Sequence, residues 1–161
     1  MARGFAIPGF PGRNPYLGIF WGGLIAGTLD ILSAFINLHR IGMSPERVLQ
    51  GIASGLLGRD SFREGLTSAA LGLVCHFLIA FGAAAVYYAA SRKLRVLVKR
   101  PVVCGLLYGI PVYLFTNFVV IPLSRIGPRP VGPISGVLTA LVILAVCVGL
   151  PIALMIRRYA S

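Results

Sequence analysis

Four stretches of the chain, at 17–38, 66–88, 102–123 and 132–156, are almost continuously apolar, with shorter polar or charged segments between them. A hydrocarbon core of about 30 Å is crossed by about 20 apolar residues in an α-helix. Only helices and closed barrels satisfy their own backbone in lipid, and these runs lack the strict alternation of barrel strands. The pattern predicts an all-α polytopic membrane protein, with four transmembrane helices in an antiparallel bundle forming a single domain over residues 1–161.

The segment between the first two runs has a pattern of its own. Ser44-Pro45-Glu46 reads as an N-cap, a first-turn proline and an acid at the positive end of a helix. Val48, Leu49, Ile52, Ala53 and Leu56 then recur at helical spacing until Gly58. This predicts a short amphipathic helix over 45–57, too short to span, lying at the membrane interface or over the mouth of the bundle. Ser61 and Glu64 have capping-box spacing ahead of the second span, and Pro101 suits the first turn of the third. Pro111 and Pro151 fall inside spans, where each removes an amide donor and is expected to kink its helix. Pro128, Pro130 and Pro133 predict a stiff, extended last loop.

Composition agrees with the membrane class: 57% of residues are hydrophobic and 12% charged. The formal net charge of +11 raises nucleic acid as a partner, but the cations sit beside oily segments and form no basic face on a soluble module. Phospholipid headgroups are the better anionic neighbour, so the lipid bilayer is the expected partner and nucleic acid is not. Lysine and arginine placement also orients the chain. Arg3, Arg13, Arg92, Lys93, Arg95, Lys99, Arg100, Arg157 and Arg158 fall on one side, against Arg40, Arg47, Arg59, Arg63, Arg125 and Arg129 on the other. The positive-inside rule then predicts cytoplasmic termini and a cytoplasmic second loop. Arg3 and Arg13 give the N-terminus the charge of a signal peptide, but the first run is long and ends without a small-residue cleavage site, so it is expected to stay in place.

The first run carries Asp30 near its middle. Asp30 shares a helical stripe with Gly23, Gly27, Ala34 and Asn37, and the Gly23-x-x-x-Gly27 spacing allows a neighbouring helix to approach closely. The second run has a matching stripe of Gly65, Ala69, Gly72, His76, Ala80, Ala83 and Tyr87, almost all small residues, with His76 its one imidazole. Measured from the loop they share, Asp30 lies about 12 Å deep and His76 about 15 Å, at about 1.5 Å per residue. An ionised carboxylate at mid-span costs about 2.5–3.5 kcal/mol on insertion scales, so a partner on the adjacent small-residue face is physically attractive. The expectation is an intramembrane Asp30–His76 hydrogen bond, extended outward by Asn37, Tyr113, Thr116 and Asn117. Two roles stay open: a pair that fixes helix register, or one that binds or relays a proton or holds a small polar solute.

No enzyme signature is present: no Gly-x-Ser-x-Gly, no His-Glu-x-x-His and no phosphate-binding glycine loop. Cys75, Cys104 and Cys147 lie singly in apolar runs and read as small core residues rather than metal ligands. His39 and His76, the two histidines, sit at different depths and do not suit a bis-histidine haem; no cofactor or metal is expected. Gly72, the Gly105-x-x-x-Gly109 pair and the Gly132-x-x-x-Gly136 pair read as helix-packing positions.

Gly23–Gly27 (GLIAG), the His76 span leading to Tyr87 and Tyr88, and the short basic loop followed by Gly105-Leu106-Leu107 together resemble the YagU-like small inner-membrane proteins of bacteria. The resemblance implies a bacterial inner membrane and assigns no site residue. Two functions remain in view. One is a proton-responsive or small-solute transporter or channel built on Asp30 and His76, completed by a homodimer because four short helices enclose little volume. The other is a non-catalytic accessory or assembly subunit docked on a larger membrane protein.

Overall fold

The first two helices begin where a side chain satisfies a free amide and a proline supplies a first-turn residue without one. Asn14 Oδ1 accepts the Tyr16 amide at 3.1 Å, ahead of Pro15, and α1 runs over Pro15–His39. Ser44 Oγ accepts the Arg47 amide at 3.3 Å and starts α2, Pro45–Leu57. The computed structural model describes residues 14–128, 130 and 132–160; Arg3, Arg13 and Arg129, used above for orientation, lie outside the described residues.

A 3-10 turn over Gly58–Phe62 then leads to α3, Leu66–Lys93. The capping box expected at Ser61 and Glu64 does not form. The N-cap of α3 is Gly65, whose φ of 58° breaks the chain direction and leaves Ser61 a full turn outside the helix. The Ser61 hydroxyl instead donates to the Gln50 carbonyl at 3.0 Å.

The short helix α4, Val96–Lys99, links α3 to α5, Pro101–Leu123, and α6 covers Ile134–Tyr159. α1, α3, α5 and α6 are each long and apolar enough to cross a membrane. The described residues form helices and connecting turns, with no strand among them.

The α-helix continues through Pro111. π-helical turns occupy Thr116–Val120 and Leu144–Gly149, each ending two residues before a proline, Pro122 and Pro151. A proline ring crowds the carbonyl four residues earlier and offers it no amide; a widened turn makes room for the ring. In the last loop, Pro133 has φ −58° and ψ 149°, the extended geometry its ring favours.

Glycines set how the long helices meet. α1 presents Gly18 and Gly22 to Ile156 and Ile152 of α6, and on another face Gly23 and Gly27 to Phe81 and Phe77 of α3. α5 meets α6 through Gly105 against Gly149 and Gly109 against Ala145. The core between these contacts contains Ala26, Ala84, Tyr87, Val148, Ile152, Ala153 and Ile156. α2 lies across α3, with Gly72 so close to the Leu49 carbonyl that an added Cβ would sit 2.0 Å from its oxygen. Buried polar groups hold this crossing: Gln50 Nε2 donates to the Gly65 carbonyl at 3.1 Å, and Ser68 Oγ donates to the carbonyls of Ser61 and Gly65. The Arg125 amide donates to the Gly55 carbonyl at 2.9 Å, tying the end of α5 to α2.

Candidate functional site

The small-residue stripe of α3 is covered by three elements in succession. Gly65, Ala69 and Gly72 lie under α2; His76 and Ala80 meet α1 at Gly27; and the Ala83 carbonyl accepts the Tyr108 hydroxyl of α5 at 2.9 Å. His76 therefore sits where α3 passes from one neighbour to the next.

Its hydrogen bond goes to the backbone. His76 Nε2 lies 2.8 Å from the Gly27 carbonyl oxygen, and among the described residues no hydrogen bond joins His76 to the Asp30 side chain. This corrects the expected Asp30–His76 bond, and the reason lies in the register. His76 is about 15 Å below the shared loop, whereas Gly27, three residues deeper than Asp30, is at about 16 Å at about 1.5 Å per residue. Beside this carbonyl α3 packs tightly on α1: a Cβ at Gly27 would meet the Phe77 ring at 2.8 Å and Ala80 Cβ at 3.2 Å. A carbonyl only accepts, so Nε2 carries the proton in this contact and Nδ1 is the ring position left for a second interaction. The ring also packs edge-on against Phe77 at 5.5 Å.

Asp30 is half-buried, within electrostatic range of the His76 ring and of the Cys147 thiol on the π turn of α6. Its carboxylate makes no hydrogen bond to another described residue, and it is not sealed from the protein surface. His76 of α3 and Cys147 of α6 thus both lie within electrostatic range of Asp30 on α1. Among the described residues no three His, Cys, Asp or Glu side chains are arranged to hold a metal ion.

The expected outward extension does not assemble. Asn37 Nδ2 donates to the Ser33 carbonyl of its own helix at 2.8 Å, and Asn117 Nδ2 to the Tyr113 carbonyl at 3.0 Å. Thr116 opens the π turn of α5. These amides have local backbone acceptors within a turn, so they need no partner across the protein.

Ser33, absent from the sequence reading, joins the site: its hydroxyl donates to the Asp30 carbonyl at 2.7 Å. The carbonyls of Gly27, Asp30 and Ser33, each accepting a side-chain donor, form a polar ladder along α1. The signal was present in the spacing of Asp30, Ser33 and Asn37. Cys147 had no such signal; it lies on the π turn of α6, within electrostatic range of Asp30. Of the packing glycines, Gly23, Gly27, Gly72, Gly105 and Gly109 lie at close helix contacts. A Cβ at Gly132 would meet nothing within 4 Å, and one at Gly136 only Pro133 of the same segment at 3.9 Å.

In comparisons with protein-family models, curated proteins and solved structures, nothing matches this chain. Its function is therefore argued from the polar site.

Proposed function

We propose that the chain is a non-enzymatic, multi-pass protein of the bacterial inner membrane in which Asp30 and His76 bind a proton within the bilayer, making it a proton-responsive membrane protein of transporter or channel type. The observation that carries this reading is the Asp30 carboxylate itself: half-buried, without a hydrogen bond among the described residues, and within electrostatic range of an imidazole whose Nε2 is committed to Gly27. Charge at mid-span is costly, and a proton held on Asp30 or on His76 Nδ1 leaves the pair with no net charge. Losing that proton leaves a lone carboxylate, so the site couples protonation to the α1–α3 contact.

Several contacts support the finer architecture. Residue numbers fall on one helix as they rise on its neighbour in the Gly18–Ile156 and Gly22–Ile152 contacts, the Gly23–Phe81 and Gly27–Phe77 contacts, and the Gly105–Gly149 and Gly109–Ala145 contacts. That order favours an antiparallel four-helix bundle. α2 buries Val48 and Ala53 of its apolar set while Glu46 and Arg47 are exposed, which favours an amphipathic helix at the interface. The basic α3–α5 connection favours cytoplasmic termini. The resemblance to YagU-like proteins fits the same membrane.

The test uses purified protein in liposomes and in detergent. Unfolding stability measured as a function of pH should follow different profiles for the parent and for Asp30→Asn. Superimposable profiles, together with unchanged proton flux, would overturn the reading. A second reading, an accessory subunit, is favoured by α5: Ile110, Leu114, Phe115 and Phe118 are all exposed, leaving much of this helix to lipid or to another protein. Purification in mild detergent with mass determination separates a homodimer, a larger assembly and a lone protomer.

A further inference from the structure

We propose that the basic end of the molecule, around α4, is a binding surface for anionic phospholipid headgroups. Exposed cations surround α4: Arg92 and Lys93 at the end of α3, Arg95, Lys99 and Arg100 on and beside α4, and Arg158 near the end of α6. The chain's four acids, Asp30, Glu46, Asp60 and Glu64, all lie elsewhere. Glu46 is on α2, and Asp60 and Glu64 precede α3, so the length of a 28-residue helix, about 42 Å, separates these three from the cations. No acidic side chain among the described residues competes for the basic cluster.

The platform is built rather than draped. Leu97, in the middle of α4, packs against the core of Tyr87, Ile152, Ala153 and Ile156. Its carbonyl accepts the Tyr87 hydroxyl at 3.0 Å, and the nearly inaccessible Tyr87 ring meets Tyr108 edge-on with centroids 4.9 Å apart. The last turns of α6 also contact α4. With Leu97 held inward, Arg95, Lys99 and Arg100 face out beside the exposed apolar side chains of Leu94 and Val96.

That mixture selects the partner. A nucleic acid or acidic peptide would use the cations and leave Leu94 and Val96 in water. A phospholipid satisfies both, with its phosphate among the guanidinium and ammonium groups and its acyl chain against the apolar residues. The ends of the spans α3 and α5 flank α4, which places it at headgroup depth when those helices cross a bilayer. The inference does not depend on what Asp30 and His76 do.

The experiment compares full-length protein in nanodiscs of phosphatidylcholine containing a minor share of phosphatidylglycerol, with retained lipid counted by native mass spectrometry. Phosphatidylglycerol should be enriched on the protein over the bulk bilayer. A triple Arg95→Gln, Lys99→Gln, Arg100→Gln variant should lose most of that enrichment, each cation being worth about fivefold at low salt. Charge-retaining R95K and R100K should keep it. If the triple variant misfolds, raising salt on the parent protein provides the second measurement, and enrichment should fall as screening grows. Enrichment that survives both neutralisation and salt would overturn the proposal. So would displacement of the lipid by millimolar inorganic phosphate, which would mark a site for a soluble anion.

Discussion

Two helix seams in this protein use glycines four residues apart for different purposes. Where α5 meets α6, backbone touches backbone: a Cβ at Gly149 would lie 2.0 Å from the Gly105 carbonyl oxygen, and one at Gly109 would lie 2.5 Å from the Ala145 amide nitrogen. Where α1 meets α3, Gly23 and Gly27 form sockets for the Phe81 and Phe77 rings, at 2.3 and 2.8 Å from the imagined Cβ atoms. The first seam gains van der Waals contact and close carbonyl dipoles and has no side chain that could give way. The second is a fit between a cavity and a ring, and a ring can turn. The difference matters for function because the second seam carries His76 and Asp30, whereas the first is rigid.

The most damaging change should be Gly149→Ala. Its walls are the Gly105 carbonyl and the Gly109 amide, so the helices must separate; overpacking of this kind costs about 1–3 kcal/mol and can exceed that. Unfolding in detergent should show the loss, and trimming side chains nearby should not restore it. Gly23→Ala should also destabilise, but here Phe81→Leu should recover part of the loss, giving a coupling of about 0.5–3 kcal/mol in a double-mutant cycle. Additive losses would mean that the α1–α3 seam is as unyielding as the α5–α6 seam.

His76→Leu should cost less, about 0.6 kcal/mol and at most about 1.7, the range for side-chain hydrogen bonds between membrane helices. The Gly27 carbonyl is part of α1 and retains its helical acceptor role when the imidazole is removed. A much larger loss would mean that the ring does more than bind Gly27, and would direct attention to Asp30. The smallest effect belongs to the third glycine pair. Gly132→Ala and Gly136→Ala should leave stability within about 0.5 kcal/mol of the parent, since a Cβ finds open space at one and only Pro133 near the other.

The four long apolar helices and α2 were legible because each depends on local pattern. An apolar run of sufficient length, a Ser44-Pro45 start or a Pro101 first turn carries its meaning within a few residues. Span ends extended beyond the apolar runs, α3 reaching Lys93 and α6 Tyr159, because helical hydrogen bonding continues into polar residues that hydropathy leaves out. The candidate site was legible only in part. The approach of His76 to α1 followed from depth and from the small-residue stripe, but depth is resolved to about one turn, and one turn separates the Asp30 carboxylate from the Gly27 carbonyl.

The sequence by itself determined the number of long apolar helices, the helix in the first connection, the concentration of cations near the α3–α5 connection and the presence of one carboxylate in the first span. Those features rest on the free energy of transferring side chains and peptide groups, which is nearly a property of each segment alone. Tertiary structure decided which glycine faced which neighbour, that Gly18 and Gly22 serve α6 while Gly23 and Gly27 serve α3, and that Gly132 serves neither. It also put Cys147 within electrostatic range of Asp30 and gave the His76 proton to a backbone carbonyl. These choices depend on rotation about each helix axis and on the π turn before Pro151, which are set by packing all the helices at once rather than by the periodicity of any one of them.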